Sequence, residues 1–322
     1  MNLPLSDIRA AADFLAGKLG ASALVGVNRW RTASNAPIVV KAESLMPTGS
    51  FKIRGATWCI ATLTADERAR GVIAYSTGNH AQAVAKAATD EGIGATIVMS
   101  PDVPRAKIDA TEAWGACVVM AEPSSHARRA LAESLAQSHG YTLIAPYDDW
   151  RVMAGQASIG VELLRQCGDD PPAAVFVPIG GGGLIAGVAA AIKQLAPQVA
   201  VIGVEPALED DAARSLRAGR IVSMAAPSAS MADAIKVQCV GDLTFPLIRR
   251  YVDDIVTVDE AQIACACRRY FNEAKLVVEP GGAVALAAAF ESRLAVRSGA
   301  RVAVLACGGN VTLERLASFA LP

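Results

Sequence analysis

Short apolar runs rich in β-branched residues alternate with longer Ala-rich stretches along most of the chain. The short runs are continuously apolar, a pattern typical of parallel strands whose sheet is covered on both faces. The stretches between them are long enough for helices, so the pattern predicts an α/β fold. The predicted strands are 38–42, 72–76, 95–99, 117–120, 142–145, 174–178, 201–204, 255–258 and 302–306.

Nine predicted strands are more than one open sheet holds comfortably, so we expect two open, twisted, mostly parallel sheets covered by helices. Helix boundaries agree with this pattern. Thr64 and Glu67 form a predicted capping box in a helix that Gly71 ends. The uncharged stretch 171–192 is long enough to span a membrane. Its four consecutive glycines instead favour a strand, a turn and a helix.

Composition excludes several classes of protein. The chain has 322 residues, of which 52% are apolar, and its 30 basic and 31 acidic residues nearly cancel. A disordered chain would be more polar and more highly charged. A protein that neutralises nucleic-acid phosphates would carry a basic surplus. The seven cysteines form no CxxC pair and no secretory segment is visible, so we expect a cytoplasmic protein without a disulfide framework.

Two segments near the N-terminal third carry candidate chemistry. Lys52, in the segment 50–56, lies between a turn and an apolar helix start, where a lowered amine pKa would suit covalent chemistry with a carbonyl. The alternative is a surface lysine that opens a helix. The segment 76–82 follows a predicted strand, and its small residues would let backbone N–H groups bind an anion. The alternative there is an ordinary turn capped by Asn79.

The glycines 180–183 lie between a predicted strand and a predicted helix. Backbone N–H groups that approach closely there would bind a phosphate, and four glycines cost much backbone entropy for a simple turn. Gly181, Gly183 and Ala186 also match a dinucleotide-binding fingerprint, with Glu205 at a suitable distance. Local evidence therefore leaves a nicotinamide-dependent oxidoreductase open.

Two further segments follow predicted strands. The acidic loop 205–211 could hold Mg²⁺ or Ca²⁺ through oxygen ligands, or it could be a solvated loop. The segment 307–310 follows the last predicted strand, and the carboxyl ends of strands are where α/β proteins bind ligands. Its alternative is a turn around a buried Cys307 thiol.

In this order, the five segments resemble the serine/threonine dehydratase family of pyridoxal-phosphate enzymes of fold type II. This family includes threonine dehydratases, serine racemases and 3-hydroxyaspartate dehydratases. Other matching stretches are 148–149, 154–156, 204–206, 232–233 and 279–283. The resemblance favours the phosphate interpretation of the glycine turn over the dinucleotide one. It implies a tryptophan synthase β-like fold with the cofactor between two domains, a large one of residues 1–45 and 148–322 and an inserted small one of residues 46–147.

The resemblance also implies roles for individual residues. Lys52 would bond to the cofactor and act as the base, Phe51 would pack on the pyridine ring, and Asn79 would bond to its phenolic oxygen. The phosphate would lie on the backbone of Gly180, Gly181, Gly182, Gly183 and Leu184. The substrate carboxylate would be bound by Ser76, Thr77, Gly78 and His80. The divalent cation would be held by Glu205, Asp211 and the carbonyl of Glu209.

Three positions depart from the family pattern. By this resemblance, Cys307 would face the pyridine nitrogen where serine is usual, Ala234 replaces a glycine, and Ala145 replaces a common histidine. The resemblance implies dehydration and deamination of a β-hydroxy amino acid, with L-threonine and L-serine first. 3-Hydroxyaspartate and β-aryl serines come next. Thr77 stands where racemases carry a second acid/base, so serine racemisation is an alternative. The protein is expected to be a homodimer with no membrane or nucleic-acid partner.

Overall fold

A computed structural model describes residues 2–76, 78–103, 105–225 and 228–320. Among these residues it has thirteen α-helices and ten strands. The helices are α1 Leu5–Leu19, α2 Lys52–Ala61, α3 Ala65–Arg70, α4 Asn79–Asp90, α5 Arg105–Ala113, α6 Ser125–His139, α7 Trp150–Cys167, α8 Gly183–Leu195, α9 Asp211–Ala218, α10 Thr244–Tyr251, α11 Glu260–Arg269, α12 Pro280–Glu291 and α13 Leu313–Ala320. The strands are β1 Ala23–Arg31, β2 Pro37–Ala42, β3 Val72–Tyr75, β4 Ala95–Met99, β5 Cys117–Met120, β6 Thr142–Leu143, β7 Ala174–Pro178, β8 Ala200–Pro206, β9 Asp254–Val258 and β10 Val302–Leu305.

The strands form two sheets, as the pattern of apolar runs predicts. A six-stranded sheet has the order β1-β2-β10-β7-β8-β9, and a four-stranded sheet has the order β5-β4-β3-β6. All pairs are parallel except β1 with β2. The α/β class with two mostly parallel sheets is confirmed. All strands of the smaller sheet come from residues 72–143, which agrees with the predicted inserted domain, although its boundaries stay a prediction.

The strand predictions fail at an edge. Strand β1, Ala23–Arg31, was not predicted, because its residues are largely exposed and include Gly26, Asn28 and two arginines. A strand at an exposed edge needs no continuous apolar run. The predicted strand 142–145 ends already at Leu143.

Local signals fix several helix ends. The capping box of Thr64 and Glu67 is present, and Gly71 follows α3. Asp149 caps α7 by accepting from the N–H of Arg151 at 2.7 Å. The uncharged stretch becomes β7, the glycine turn and α8. None of the helices in the described ranges is long and apolar enough to cross a membrane.

Helix α7 packs closely against α2, the helix that begins with Lys52. A Cβ on Gly155 would lie 2.6 Å from the Cα of Gly55 and 2.7 Å from the carbonyl oxygen of Arg54. Arg54 is almost fully buried and bonds to the carboxylates of Glu43 and Glu162, at 2.7 Å and 2.9 Å. These contacts fix α2 against the larger sheet and thereby the position of Lys52.

Candidate active site

The candidate site lies at the carboxyl ends of strands from both sheets. Strand β10 leads into Cys307, whose carbonyl accepts from the backbone N–H of Phe51 at 3.0 Å. Ser50 pairs with Gly308 in an isolated antiparallel bridge. Lys52 then opens α2, and its Nζ donates to the carbonyl of Pro146 at 2.6 Å. Three segments that are distant in the sequence therefore meet at the lysine amine.

The environment of Lys52 favours its neutral amine. Burial lowers its pKa to about 8, against the opposing effect of the Glu279 carboxylate. The Nζ lies 5.2 Å from the centre of the Phe51 ring. A lysine with a pKa near 8 has a substantial neutral fraction in mildly alkaline solution, which is the form that attacks a carbonyl or removes a proton.

Cys307 is a neutral group beside this amine. Its side chain is 3% exposed, and its Sγ donates to the carbonyl of Gly281 at 3.7 Å. Burial raises the pKa of the thiol, and the nearby Glu279 raises it further. The thiol therefore stays protonated and adds no negative charge to the site.

The loop after β3 brings two more predicted residues to the site. Asn79 is the first residue of α4 and donates through Nδ2 to the Oε1 of Glu279 at 2.6 Å. His80 is buried, and its Nε2 lies 2.9 Å from the carbonyl oxygen of Ile144. Burial, with help from Lys52, lowers the pKa of His80 to about 3, so its imidazole is neutral.

The remaining residues of this loop that are predicted to bind the substrate are Ser76, Thr77 and Gly78. The Ser76 hydroxyl accepts from the N–H of Gly78 at 3.3 Å, and Gly78 precedes α4 as its N-cap residue. Thr77 lies outside the described residues. Its predicted part in catalysis and in carboxylate binding therefore stays a prediction.

The glycine turn leads from β7 into α8 and lies beneath Tyr147. A Cβ on Gly181 would come within 2.4 Å of the Tyr147 ring, and one on Gly183 within 2.8 Å of the Tyr147 carbonyl oxygen. Gly182 has a φ of 91°, a conformation that favours glycine. A side chain on Gly181 or Gly183 would therefore collide with Tyr147, and one on Gly182 would strain the backbone. The first N–H groups of α8, including that of the buried Leu184, lack helical partners and can bind an anion.

The acidic loop follows β8 and keeps its carboxylates buried. Glu205 accepts from the N–H groups of Ala212 and Ala213 at 2.9 Å and 2.8 Å. Burial raises the pKa of Glu205 to about 8, and the neighbouring Asp211 adds to this effect. Burial likewise raises the pKa of Asp211 to about 7, with a contribution from Glu209.

Two carboxylate oxygens of the predicted cation-site residues lack partners. Among the described residues, neither the Oδ2 of Asp211 nor the Oε2 of Glu209 has a hydrogen bond, although both atoms are buried. No three acidic, histidine or cysteine side chains of the described ranges converge as a metal cage. The predicted cation site uses two side chains and the carbonyl of Glu209. Both oxygens of Glu205 already accept backbone N–H bonds, whereas the Oδ2 of Asp211 has no partner in the described part of the chain. This unpartnered oxygen beside other buried carboxylates is the feature that suits a divalent cation.

Glu279 is the residue of the site to which the sequence assigned no role. It is 4% exposed and precedes α12. Burial raises its pKa to about 7, although its bond from Asn79 opposes this shift. The available signal was an acid directly before Pro280, at the start of a stretch that matches the family.

These residues fit pyridoxal phosphate. The site offers an amine with a lowered pKa, an adjacent aromatic ring, a neutral buried thiol, and a turn that only glycines fit, opening a helix. The hydroxyls of Thr48 and Ser50 and the Nδ1 of His80 are buried without partners among the described residues. Such groups point to a polar ligand in the site.

Comparison with known proteins agrees with this fit. A family model described as "Pyridoxal-phosphate dependent enzyme" matches residues 15–308. The match supports the phosphate interpretation of the glycine turn rather than the dinucleotide one.

Individual relatives have several activities. An L-threo-3-hydroxyaspartate ammonia-lyase from a Pseudomonas species is 40% identical over 313 residues, covering 97% of each chain. An L-threonine ammonia-lyase from Geobacter sulfurreducens is 40% identical over 314 residues, covering 98% of this chain and 77% of the relative. The structure of maize serine racemase superposes with a TM-score of 0.93 at 31% identity, covering 99% of this chain and 97% of the racemase.

Proposed function

The chain belongs to the pyridoxal-phosphate-dependent enzyme family, and on this premise we propose that it removes water and ammonia from a β-hydroxy amino acid to give a 2-keto acid. The observation that carries the proposal is the buried Lys52 amine, with a pKa near 8, at the meeting point of the predicted cofactor residues. Elimination that depends on pyridoxal phosphate needs a base at the α-carbon of the substrate, and such an amine can serve as that base.

Lys52 would act as both the cofactor-bonding residue and the base. Bound pyridoxal phosphate would accept the electron pair released when the α-proton leaves. Lys52 would hold that proton, which is possible because its pKa lies near the working pH. The Pro146 carbonyl, 2.6 Å from Nζ, fixes the place of the amine in the site.

Cys307 favours elimination over longer-lived carbanion chemistry. In the proposed site it faces the pyridine nitrogen, where a carboxylate would favour a protonated ring. A neutral thiol would leave the ring nitrogen unprotonated, so the ring would withdraw less charge from the α-carbon than a protonated ring does. The β-hydroxyl group is then lost promptly after the α-proton.

We place L-threonine and L-serine first as substrates. A relative named L-threonine ammonia-lyase at 40% identity supports this assignment. Racemisation is a weaker candidate, because it needs an acid on the opposite face of the substrate. The residue expected there is Thr77, whose β-branched side chain is stiffer than that of serine.

A second candidate substrate is 3-hydroxyaspartate. A relative with this activity matches 97% of both chains. Lys107 lies on helix α5, between β4 and β5 in the chain, and its Nζ is 3.7 Å from the Oδ2 of Asp233. The charges of both residues affect the pKa of the buried Glu279. Asp233 is followed by Ala234, which replaces a glycine of the family pattern. Lys107 therefore lies near this replacement, where its amine could bind the second carboxylate of 3-hydroxyaspartate.

Glu205, Asp211 and the Glu209 carbonyl form the proposed Mg²⁺ or Ca²⁺ site. The support is the burial of two carboxylates, which raises the pKa of both, with smaller contributions from neighbouring acidic side chains. The loop follows β8, which pairs with β7, the strand that leads into the glycine turn. A cation there would stabilise the phosphate end of the site.

We also propose a cytoplasmic homodimer. The seven cysteines are all free thiols, as expected in a reducing compartment. Six large apolar side chains are exposed among the described residues, including Leu45 and Val277. Analytical ultracentrifugation of the purified protein tests the assembly, and a purely monomeric species would contradict it.

The experiment that tests the activity compares Lys52→Ala with Lys18→Ala, a surface control whose amine bonds to Glu91 at 2.8 Å. The parent and the control are expected to be yellow and to form keto acid, and Lys52→Ala is expected to lose both properties. L-Threonine, L-serine, L-threo-3-hydroxyaspartate and a β-aryl serine would be assayed for keto acid, and L-serine also for its D-enantiomer. A colourless parent that binds a nicotinamide dinucleotide would contradict the proposal.

A further inference from the structure

A directed chain of hydrogen bonds passes through Asn79, the residue predicted to bond to the cofactor. Asn310 donates through Nδ2 to the carbonyl of Thr48 at 2.8 Å and to the Oδ1 of Asn79 at 2.7 Å. Asn79 in turn donates through its own Nδ2 to the Oε1 of Glu279 at 2.6 Å. Two amides are therefore held between a backbone carbonyl and a carboxyl group.

The two ends of this chain determine which way each amide faces. A carbonyl only accepts, so the nitrogen of Asn310 must face Thr48, and its second hydrogen points to Asn79. An ionised Glu279 also only accepts, so the nitrogen of Asn79 must face Glu279. If the Asn79 amide were reversed, two donors would meet at Asn310 and two acceptors at Glu279.

Backbone geometry holds the Thr48 end in place. Thr48 has a φ of 69°, in the left-handed region that non-glycine residues rarely adopt. Gly49 follows with a φ of 70°, and a Cβ there would lie 2.4 Å from the Oδ1 of Asn310. The carbonyl of Gly49 accepts from the N–H of Gly309 at 2.9 Å. This strained turn presents the Thr48 carbonyl to Asn310.

We propose that Glu279 and Asn310 are positioning residues that set the amide orientation of Asn79. The second Nδ2 hydrogen of Asn79 has no partner among the described residues, which leaves it for the phenolic oxygen of the cofactor. The inference rests on the proposed function, because it assumes that this hydrogen faces pyridoxal phosphate. Glu279 and Asn310 then act through Asn79 and need no contact with the substrate.

The test is a double-mutant cycle that measures cofactor affinity and absorbance. Glu279→Gln replaces the carboxylate by a group that also donates, so the Glu279 end no longer enforces the orientation of Asn79 and only Asn310 does. We expect the dissociation constant for pyridoxal phosphate to rise about fivefold and the visible absorbance maximum to move. Asn79→Ala should give a similar or larger change in both measurements. The control is Glu291→Gln at the exposed end of the same helix, which should match the parent.

The double variant distinguishes the routes by which Glu279 could act. Glu279 also raises the pKa of Lys52 directly, and that effect would persist when Asn79 is absent. If Glu279 acts through Asn79, Asn79→Ala/Glu279→Gln should be no weaker in cofactor binding than Asn79→Ala alone. Fully multiplicative losses, or a Glu279→Gln variant identical to the parent, would overturn the proposal.

Asn310→Ala supplies a second cycle with Asn79→Ala if Glu279→Gln does not fold. It removes the donor to the Oδ1 of Asn79 and leaves the charge at Glu279 unchanged, so it should lower cofactor affinity only when Asn79 is present. Failure of the proposed function is distinguishable, because the parent would then form no lysine-bonded cofactor at all. In the positioning test the parent binds the cofactor and the variants differ from it.

Discussion

Removal of divalent cations should make the stability of this protein fall steeply with pH. The perturbation acts on Glu205 and Asp211, whose folded-state pKa values are about 8 and about 7. An unfolded chain would ionise both groups near pH 4. Without a cation, the folded state therefore holds protons that the unfolded state has lost.

The sign and size follow from these values. A carboxyl group with a raised folded-state pKa stabilises the fold fully below its unfolded pKa, and the stability is lost as the pH rises through the folded pKa. For Glu205 the loss is on the order of 5 kcal/mol, because the shift is nearly four pKa units and one unit corresponds to about 1.4 kcal/mol. Asp211 titrates together with Glu205, so the two losses are not independent.

Thermal unfolding of the cofactor-loaded protein measures the effect. In EDTA, the melting temperature should be several degrees lower at pH 8 than at pH 5.5, at about 2 °C for each kcal/mol. Mg²⁺ or Ca²⁺ at a hundredfold excess over its dissociation constant adds about 2.7 kcal/mol. The gain should be large at pH 8 and small at pH 5.5, where protons compete with the cation.

Asp211→Asn distinguishes binding of a cation at this site from a general effect of added salt on stability. It removes one of the repelling carboxylates, so the variant should be more stable than the parent in EDTA at pH 8 and should gain little from Mg²⁺ or Ca²⁺. Asp90→Asn, on the surface of α4, should respond to cations as the parent does. A parent melting temperature that is independent of pH and cations, with no metal found by elemental analysis, would refute the reasoning.

Two further predictions concern Cys307 and the crossing of α2 with α7. Cys307→Ser keeps a neutral group and should retain elimination within about tenfold, or roughly 1.4 kcal/mol of barrier. Cys307→Asp should change the visible spectrum with substrate and slow keto acid release, and unchanged spectra in the folded variant would contradict the assignment. Gly155→Ala forces a Cβ to within 2.6 Å of Gly55, so it should lower the melting temperature by about 2–6 °C. Gly17→Ala, where a Cβ meets no atom within 4 Å in a helix, should be neutral or slightly stabilising.

The strands that the sequence predicted are those with continuous apolar runs, both where they are buried, as in β4 and β7, and at the more exposed edge formed by β5. The predicted strands 95–99, 117–120 and 174–178 coincide with the observed strands β4, β5 and β7. Continuous apolar runs between helices leave little choice of structure for such segments. Strand β1 carries no such run, because it is an antiparallel edge strand with exposed side chains. Its place depends on pairing with β2, which local patterns do not encode.

The candidate site likewise contains residues that the sequence singles out and contacts that it does not reveal. Glycines with restricted space and residues at the ends of strands produce local signals, so the glycine turn and Lys52 could be singled out. The contacts that determine their chemistry join distant segments, such as the bond between Asn79 and Glu279 across 200 positions. No periodicity marks that bond. The carbonyl of Pro146 is likewise invisible from the sequence around Lys52, because any residue supplies a carbonyl.

Burial also explains why the charges of the site could not be read from residue types alone. A free lysine and a free glutamate would form an ion pair at neutral pH, whereas here the Lys52 pKa falls to about 8 and the Glu279 pKa rises to about 7. Both groups can therefore gain or lose a proton near pH 7.5 at a small cost in free energy. A base that must take an α-proton and return to its neutral form needs this property. A carboxylate at position 307 would raise the pKa of Lys52 again, so the neutral thiol preserves the base as well as the electronic state of the ring.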